Sequence, residues 1–188
     1  MKTIILKSAV VLLLIISVAF TTTETKIVDI TKSSIQWVGH KVTGQHEGTI
    51  TLQEGTLEFN ANQLTGGNFV MDMTTINTTD LQGEYKNKLD GHLKADDFFG
   101  VETYKTASLI FTSVTKNGET YIVTGDLTIK NITNEITFEL AVSENAASTT
   151  FQVDRTKYGI KYGSASFFDG LKDKAIYNEF DLTVSLKF

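Results

Sequence analysis

Val123-Thr124-Gly125-Asp126-Leu127-Thr128-Ile129 and, past a bend at Asn131–Asn134, Ile136-Thr137-Phe138-Glu139-Leu140-Ala141-Val142 decide the fold of this chain. In both runs apolar or glycine positions alternate with polar ones. Successive side chains of a strand point to opposite faces, so this period buries one face and wets the other. The same period spreads outward in both directions. Towards the N-terminus it links Ile35, Trp37 and Gly39, then Ile50 and Leu52, then Leu57 and Phe59 beyond a turn expected at Glu54-Gly55. Phe69, Met71 and Met73 follow a turn expected at Gly66-Gly67, and Leu109, Phe111 and Ser113 lead into Lys116-Asn117-Gly118, where Asn-Gly signals a hairpin. Towards the C-terminus come Phe151 and Val153, and a last run of Phe180, Leu182, Val184, Leu186 and Phe188.

About eight or nine strands at short spacing make an all-β domain, either a sandwich or a barrel. The last run is long, strictly alternating and poor in charge. Left as an open edge it would invite pairing with other chains, so closure into an antiparallel barrel of about eight strands is expected. Such a barrel has an interior just wide enough for packed side chains or one small ligand. Two stretches break the period. Leu81, Tyr85, Leu89 and Leu93 recur every four residues between Asp80 and Lys94, the stripe of one flanking amphipathic helix with Asp80 as its expected N-cap. Tyr162–Ala175, rich in Gly, Ser, Asp and Phe, reads as a short helical or irregular insertion.

Composition removes several function classes. The 188 residues include no cysteine and no proline, and the net charge is −5. Without cysteine there is no disulfide scaffold, CxxC zinc site, thiol nucleophile or lipoprotein anchor. Acidic charge spread along the chain gives no electrostatic footprint for nucleic acid. The absence of proline permits continuous sheet.

Residues 1–19 differ from the rest. Lys2 and Lys7 precede an apolar run from Ala9 to Phe20, and Ser17-Val18-Ala19 places small residues before a cut after Ala19. This is the pattern of a secretory signal peptide. An uncleaved membrane anchor is the competing reading, for which the uncharged run is short. Without residues 1–19 the chain keeps all 22 acidic residues and 15 of its 17 basic ones, a net charge of −7. The expected organisation is a signal peptide at 1–19 and one domain at 20–188. The expected compartment is outside the cytoplasm: the periplasm first, the cell surface or medium as alternatives.

Catalytic signatures are sparse. Gly163-Ser164-Ala165-Ser166 lacks the spacing of a nucleophile elbow, and no phosphate-binding glycine loop opens a helix. His40, His46 and His92 would make a zinc site only by converging, and separate structural roles rank ahead. Asp72, Asp96 and Asp97 read as turn and capping residues. Arg155, the only arginine, suits either a fork for an anionic headgroup or a buried pair with a neighbouring strand, and the structural role ranks ahead. The apolar face carries Trp37, Phe59, Phe69, Met71, Met73, Phe111, Phe138, Phe151 and Phe180. Two readings fit it, a dry core and the lining of a cavity for a long apolar molecule.

Five strings in register carry a family resemblance. They are Trp37-Val38-Gly39-His40-Lys41-Val42-Thr43-Gly44 with His46-x-Gly48, Gly66-Gly67-x-Phe69-x-Met71-Asp72-Met73, Gly91-His92-Leu93-Lys94-x-Asp96-Asp97-Phe98-Phe99, Gly125-Asp126-Leu127-Thr128-Ile129-x-x-Ile132-Thr133, and Asp154-Arg155-x-x-Tyr158-Gly159-Ile160 with Tyr162-Gly163-Ser164. From about Ile27 to Phe188 the chain resembles the YceI-like family of exported bacterial proteins. The resemblance implies a lipocalin-like antiparallel barrel with a helix beside it. It also implies non-enzymatic binding of a polyprenyl phosphate or isoprenoid quinone, no cofactor or metal, and a link to stress responses. On that reading Leu89, Phe98, Phe99 and Phe168 cover or rim the barrel, with Arg155 and His92 as headgroup contacts. An apolar rim would also suit transient membrane contact or a homodimer. A solid-barrel partner-binding protein, and then an isoprenoid-processing enzyme, are the alternatives. Lys105, Glu135 and Gly100 depart from the family's usual residues, all in loops.

Overall fold

The alternating runs become nine antiparallel strands, arranged as β1 (Thr23–Ile27), β2 (Ser34–Lys41), β3 (Gly44–Asn60), β4 (Gln63–Thr78), β5 (Thr106–Asn117), β6 (Thr120–Ile129), β7 (Ile132–Val142), β8 (Ala146–Asp154) and β9 (Ile176–Lys187). The structure is a computed structural model and describes residues 23–188; the expected signal segment at 1–19 lies outside the described residues. The sheet order is β1-β3-β2-β9-β8-β7-β6-β5-β4, and β4 pairs back onto β3. Strands β2 to β9 therefore close an eight-stranded barrel. The edge that β9 would have exposed is paired with β2 on one side and β8 on the other. β1 lies outside, on the stretch Thr56–Asn60 of β3 that runs beyond β2.

Two expected turns are absent. β3 runs straight through Glu54-Gly55 with a register shift between Leu52 and Glu54, and β4 runs through Gly66-Gly67; the reversal falls at Ala61-Asn62 instead. The glycines serve packing. A Cβ on Gly55 would sit 2.9 Å from the Phe69 ring, and one on Gly67 would sit 2.8 Å from the Phe111 ring. Glycine inside a strand marks such a close approach. The Asn117-Gly118 hairpin forms as expected, with Gly118 at φ 60°.

The helix, α1 (Gly83–Lys94), begins two residues later than the stripe suggested, and Asp80 does not cap it. Asp80 Oδ2 instead lies 2.8 Å from His46 Nδ1, while Oδ1 accepts from the Glu47 amide. Burial pushes the Asp80 carboxyl up, but these bonds outweigh it and hold the group below its ordinary value. Of the stripe, Leu93 is buried and Leu89 packs against the core, whereas Tyr85 is exposed. The Asp90 carboxylate accepts from the Thr78 amide and ties α1 to the end of β4.

The barrel has two unlike ends. Short reversals at Ala61-Asn62, Gly118 and Ser143–Asn145 make one. The other carries everything irregular: α1 with the loop to Tyr104, a 3-10 turn at Arg155–Tyr158, and the insertion up to Ala175. Successive antiparallel strands send alternate connections to opposite ends, and at the irregular end the connections after β4 and β8 are the long ones.

Candidate ligand cavity

Every strand of the barrel sends apolar side chains inward, and they do not fill the lumen. A cavity of about 160 Å³ remains, within a larger void that opens to solvent. By the same kind of measure a cavity of about 150 Å³ holds one benzene ring and stays dry when its walls are apolar. The wall is organised around an aromatic belt. Phe69 and Phe111 lie 5.4 Å apart between ring centres, Phe111 and Phe138 6.0 Å edge-on, and Phe138 and Phe151 4.7 Å in a stack. The belt crosses β4, β5, β7 and β8. The wall continues beside it with Phe180, Leu182 and Val184 of β9, where Leu182 is the register partner of Phe151, and then with Trp37 of β2, whose Nε1 donates to the Thr49 carbonyl.

Period two is what aims these residues. Ile35, Trp37 and Gly39 share the inner face of β2; Phe69, Met71 and Met73 share that of β4. At Gly39 a Cβ would meet nothing within 4 Å, so the backbone there borders open space. At the irregular end Leu93, Phe98 and Phe99 project from α1 and its loop and narrow the lumen as a partial stopper.

The charged or ionisable lining residues His40, Arg155 and Glu179 sit at that end, while Asp181 and Gln152, which alternate with the lining residues Phe180, Leu182 and Phe151, stand on the outer face of the wall. His40 Nε2 lies 2.7 Å from Asp181 Oδ2, and Gln152 Nε2 donates to Asp181 Oδ1. The His40 bond first, then the Gln152 bond, hold the Asp181 carboxyl below its ordinary value. Arg155 is 2% exposed and lines the cavity. Its Nε donates to the Tyr177 carbonyl, Nη1 to the Ile160 carbonyl and Nη2 to the Ile176 carbonyl. Its neighbouring-strand partners are thus carbonyls. No ion pair holds it among the described residues, and two of its five N–H donors keep no protein acceptor. Burial lowers its pKa, and Asp154 and Glu179 oppose that.

Of the residues singled out in the sequence, Trp37, Phe69, Met71, Met73, Phe98, Phe99, Phe111, Phe138, Phe151, Phe180 and Arg155 meet at the cavity. Four do not. Phe59 is buried at the hairpin end, 6.1 Å from the Phe188 ring. Leu89 packs behind the wall and Leu93 takes the lining position. Phe168 stands in solvent, and His92 sits 4.3 Å from the Tyr162 ring and 5.4 Å from Phe98, outside the lumen. The three histidines go to three separate places. Asp72 accepts from the Thr74 amide in a local turn. The His40–Asp181 pair was missed because nothing local links residues 141 positions apart.

Comparison with known proteins identifies the architecture. The sequence profile of the YceI-like domain matches residues 27–188. The chain belongs to the YceI-like family. A YceI-like relative, a UPF0312 protein of Staphylococcus aureus (strain bovine RF122), is 40% identical over 87 residues, covering 40% of this chain and 48% of the relative. The match thus spans about half the length of the curated relatives. Among solved structures, Burkholderia cenocepacia BcnA superposes with a TM-score of 0.67 at 19% identity, covering 85% of this chain and 98% of that one. A polyisoprenoid binding domain from Saccharophagus degradans, described as implicated in plant cell wall breakdown, gives 0.59 at 14% identity over 85% and 95%. The Campylobacter jejuni YCEI protein gives 0.53 at 15% identity over 67% and 72%. At these identities the likeness is one of fold: a lipocalin-like barrel.

Proposed function

We propose that this YceI-like barrel binds the apolar chain of an isoprenoid lipid in its lumen, without catalysing a reaction, as a carrier or store outside the cytoplasm. The observation that carries the reading is the unfilled, apolar-walled cavity crossed by the aromatic belt. Interiors are normally packed to crystal density, so a residual void of this size with one polar end is a binding feature. Each CH₂ group moved from water into such a wall gains about 0.8 kcal/mol. The fold it shares with a polyisoprenoid binding domain supports the same ligand class. Trp37, Phe69, Met71, Met73, Phe111, Phe138, Phe151 and Phe180 make the wall, Phe98 and Phe99 the stopper, and the free N–H groups of Arg155 face the headgroup. The N-terminal signal pattern supports export, with the periplasm as the first compartment.

Gly39 provides the test. It borders the lumen, a Cβ there meets nothing within 4 Å and its backbone is not in the left-handed region, so Gly39→Leu places a side chain in the cavity. Organic extract of the natively purified protein, read by mass spectrometry, is expected to contain a polyprenyl lipid. Extract of folded Gly39→Leu is expected to contain about tenfold less. Equal retention by the variant would rule out the lumen as the site. The modest cavity volume favours a second reading, a structural barrel that holds nothing; a wild-type extract free of lipid would establish it.

A further inference from the structure

Phe167 and Phe168 are 47% and 49% exposed, side by side in the insertion that follows the 3-10 turn. They do not hang from a loose loop. Ser164, fully buried, donates through Oγ to Asn178 Oδ1, and Asn178 Nδ2 donates to Ser166 Oγ. The Ser164 carbonyl accepts from the amides of both Phe167 and Phe168. The fold thus holds two bare aromatic rings outward, at the cost of wetting them. Tyr162 and Tyr177, also exposed, stand on the same end of the barrel. The patch is continuous with the cavity. Tyr177 lines the mouth, and Tyr162 packs edge-on against His92, which packs edge-on against the stopper residue Phe98.

Charge chooses the partner. In a chain of net charge −5, the insertion 161–175 carries Lys161, Lys172 and Lys174 against Asp169 and Asp173, with Lys157 just before it. Lys161 Nζ lies 4.7 Å above the Phe167 ring. Aromatic rings flanked by lysine ammonium groups suit a bilayer interface, where the rings enter the headgroup boundary and the lysines meet anionic lipid. We propose that the insertion 161–175 docks the irregular end of the barrel on an anionic membrane surface, with Phe167 and Phe168 inserted. A docked mouth would open directly onto the lipid phase.

The absence of cysteine makes the test clean. The full chain, labelled with an environment-sensitive fluorophore at Ala165→Cys or at Glu119→Cys on the opposite end, is mixed with phosphatidylethanolamine–phosphatidylglycerol vesicles carrying spin-labelled lipid. The label at 165 is expected to shift to the blue and be quenched, and the label at 119 to stay in water. Phe167→Ser with Phe168→Ser is expected to cut quenching at 165 about tenfold, since each ring buried in the interface adds to partitioning. Lys161→Glu with Lys172→Glu, or replacement of phosphatidylglycerol by phosphatidylcholine, is expected to weaken it too. Both pairs are exposed, so circular dichroism should show an unchanged fold. Position of the label, not bulk binding, decides, because the apolar run at Ala9–Phe20 could bring the chain to vesicles by itself. The readout is also independent of lumen occupancy, so it fails separately from the lipid-binding reading. A label at 165 that stays in water, or is quenched equally in the phenylalanine variant, overturns the proposal. So does a dimer that dissociates in that variant while quenching persists, which would assign the face to a second copy.

Discussion

Single residues show how little free space the wall has outside the lumen. Gly48 is the tightest position. A Cβ there would run into both the Asn77 carbonyl oxygen and the Trp37 indole, so β3 must shift from β4 and the indole must turn. Gly48→Ala is expected to destabilise the protein by about 1–3 kcal/mol, the usual cost of overpacking, measured by denaturant unfolding. A stability within error of wild type would mean that Trp37 is not fixed against β3. The contrast with Gly39 is instructive: both glycines lie on strands that line the barrel, yet one faces a ring and the other a void. Arg155 makes the same point for polar groups. Its charge is accommodated by three carbonyls, two of them at the start of β9, so a structural duty and a place at the cavity belong to one side chain.

At the level of elements, the barrel wall is uneven. β6 pairs with β7 along its whole length, but β7 and β8 share only Ala141↔Ser148 and Val142↔Ala147. Beyond that point the seam is bridged by the Thr149 hydroxyl donating to the Glu139 carbonyl, by the Phe138–Phe151 stack and by Asn134 Nδ2 donating to the Lys157 carbonyl. A wall closed by side chains gives way more readily than one closed by a ladder. Amides of residues 133–140 that face this seam are expected to exchange with deuterium about tenfold or more faster than those between β5 and β6. Uniform protection around the barrel would contradict this. The seam is also where a longer apolar molecule would gain room, since the cavity is small.

For the whole molecule, the ionic pairs set a direction for pH. The carboxyls of Asp80, Asp90 and Asp181 are held below their ordinary value by hydrogen bonds to His46, Lys86 and His40 respectively, against burial in the first two. A carboxyl whose pKa is depressed on folding contributes stability that is complete above the unfolded value of about 3.8 and is lost as pH falls through the folded one. Melting temperature is therefore expected to drop as pH is lowered below about 4, and to drop less steeply in Asp181→Asn. A melting temperature flat down to pH 2 would show that these pairs do not stabilise the fold. The three pairs hold unlike places, since His40–Asp181 ties β2 to β9, His46–Asp80 ties β3 to the loop before α1, and Lys86–Asp90 lies within α1.

The sequence by itself determined the strands, the closure and the inner face. Period two is a local property: it is written in the order of Val123, Gly125, Leu127 and Ile129, and any closed sheet of such strands must turn those residues inward. It did not determine what a glycine means. Gly55 and Gly67 carry the same local signal as a turn, and only the rings of Phe69 and Phe111, distant in sequence, make them contact points. It did not place Asp80, because a cap and a bond to His46 compete for one carboxylate and the tertiary partner won. Above all it could not separate a solid barrel from a hollow one. The same apolar residues fit either, and the difference of about 160 Å³ arises from how eight strands tilt and close around them. That space, the polar groups drawn to one end of it and the rings held bare beside its mouth exist only once the chain has folded.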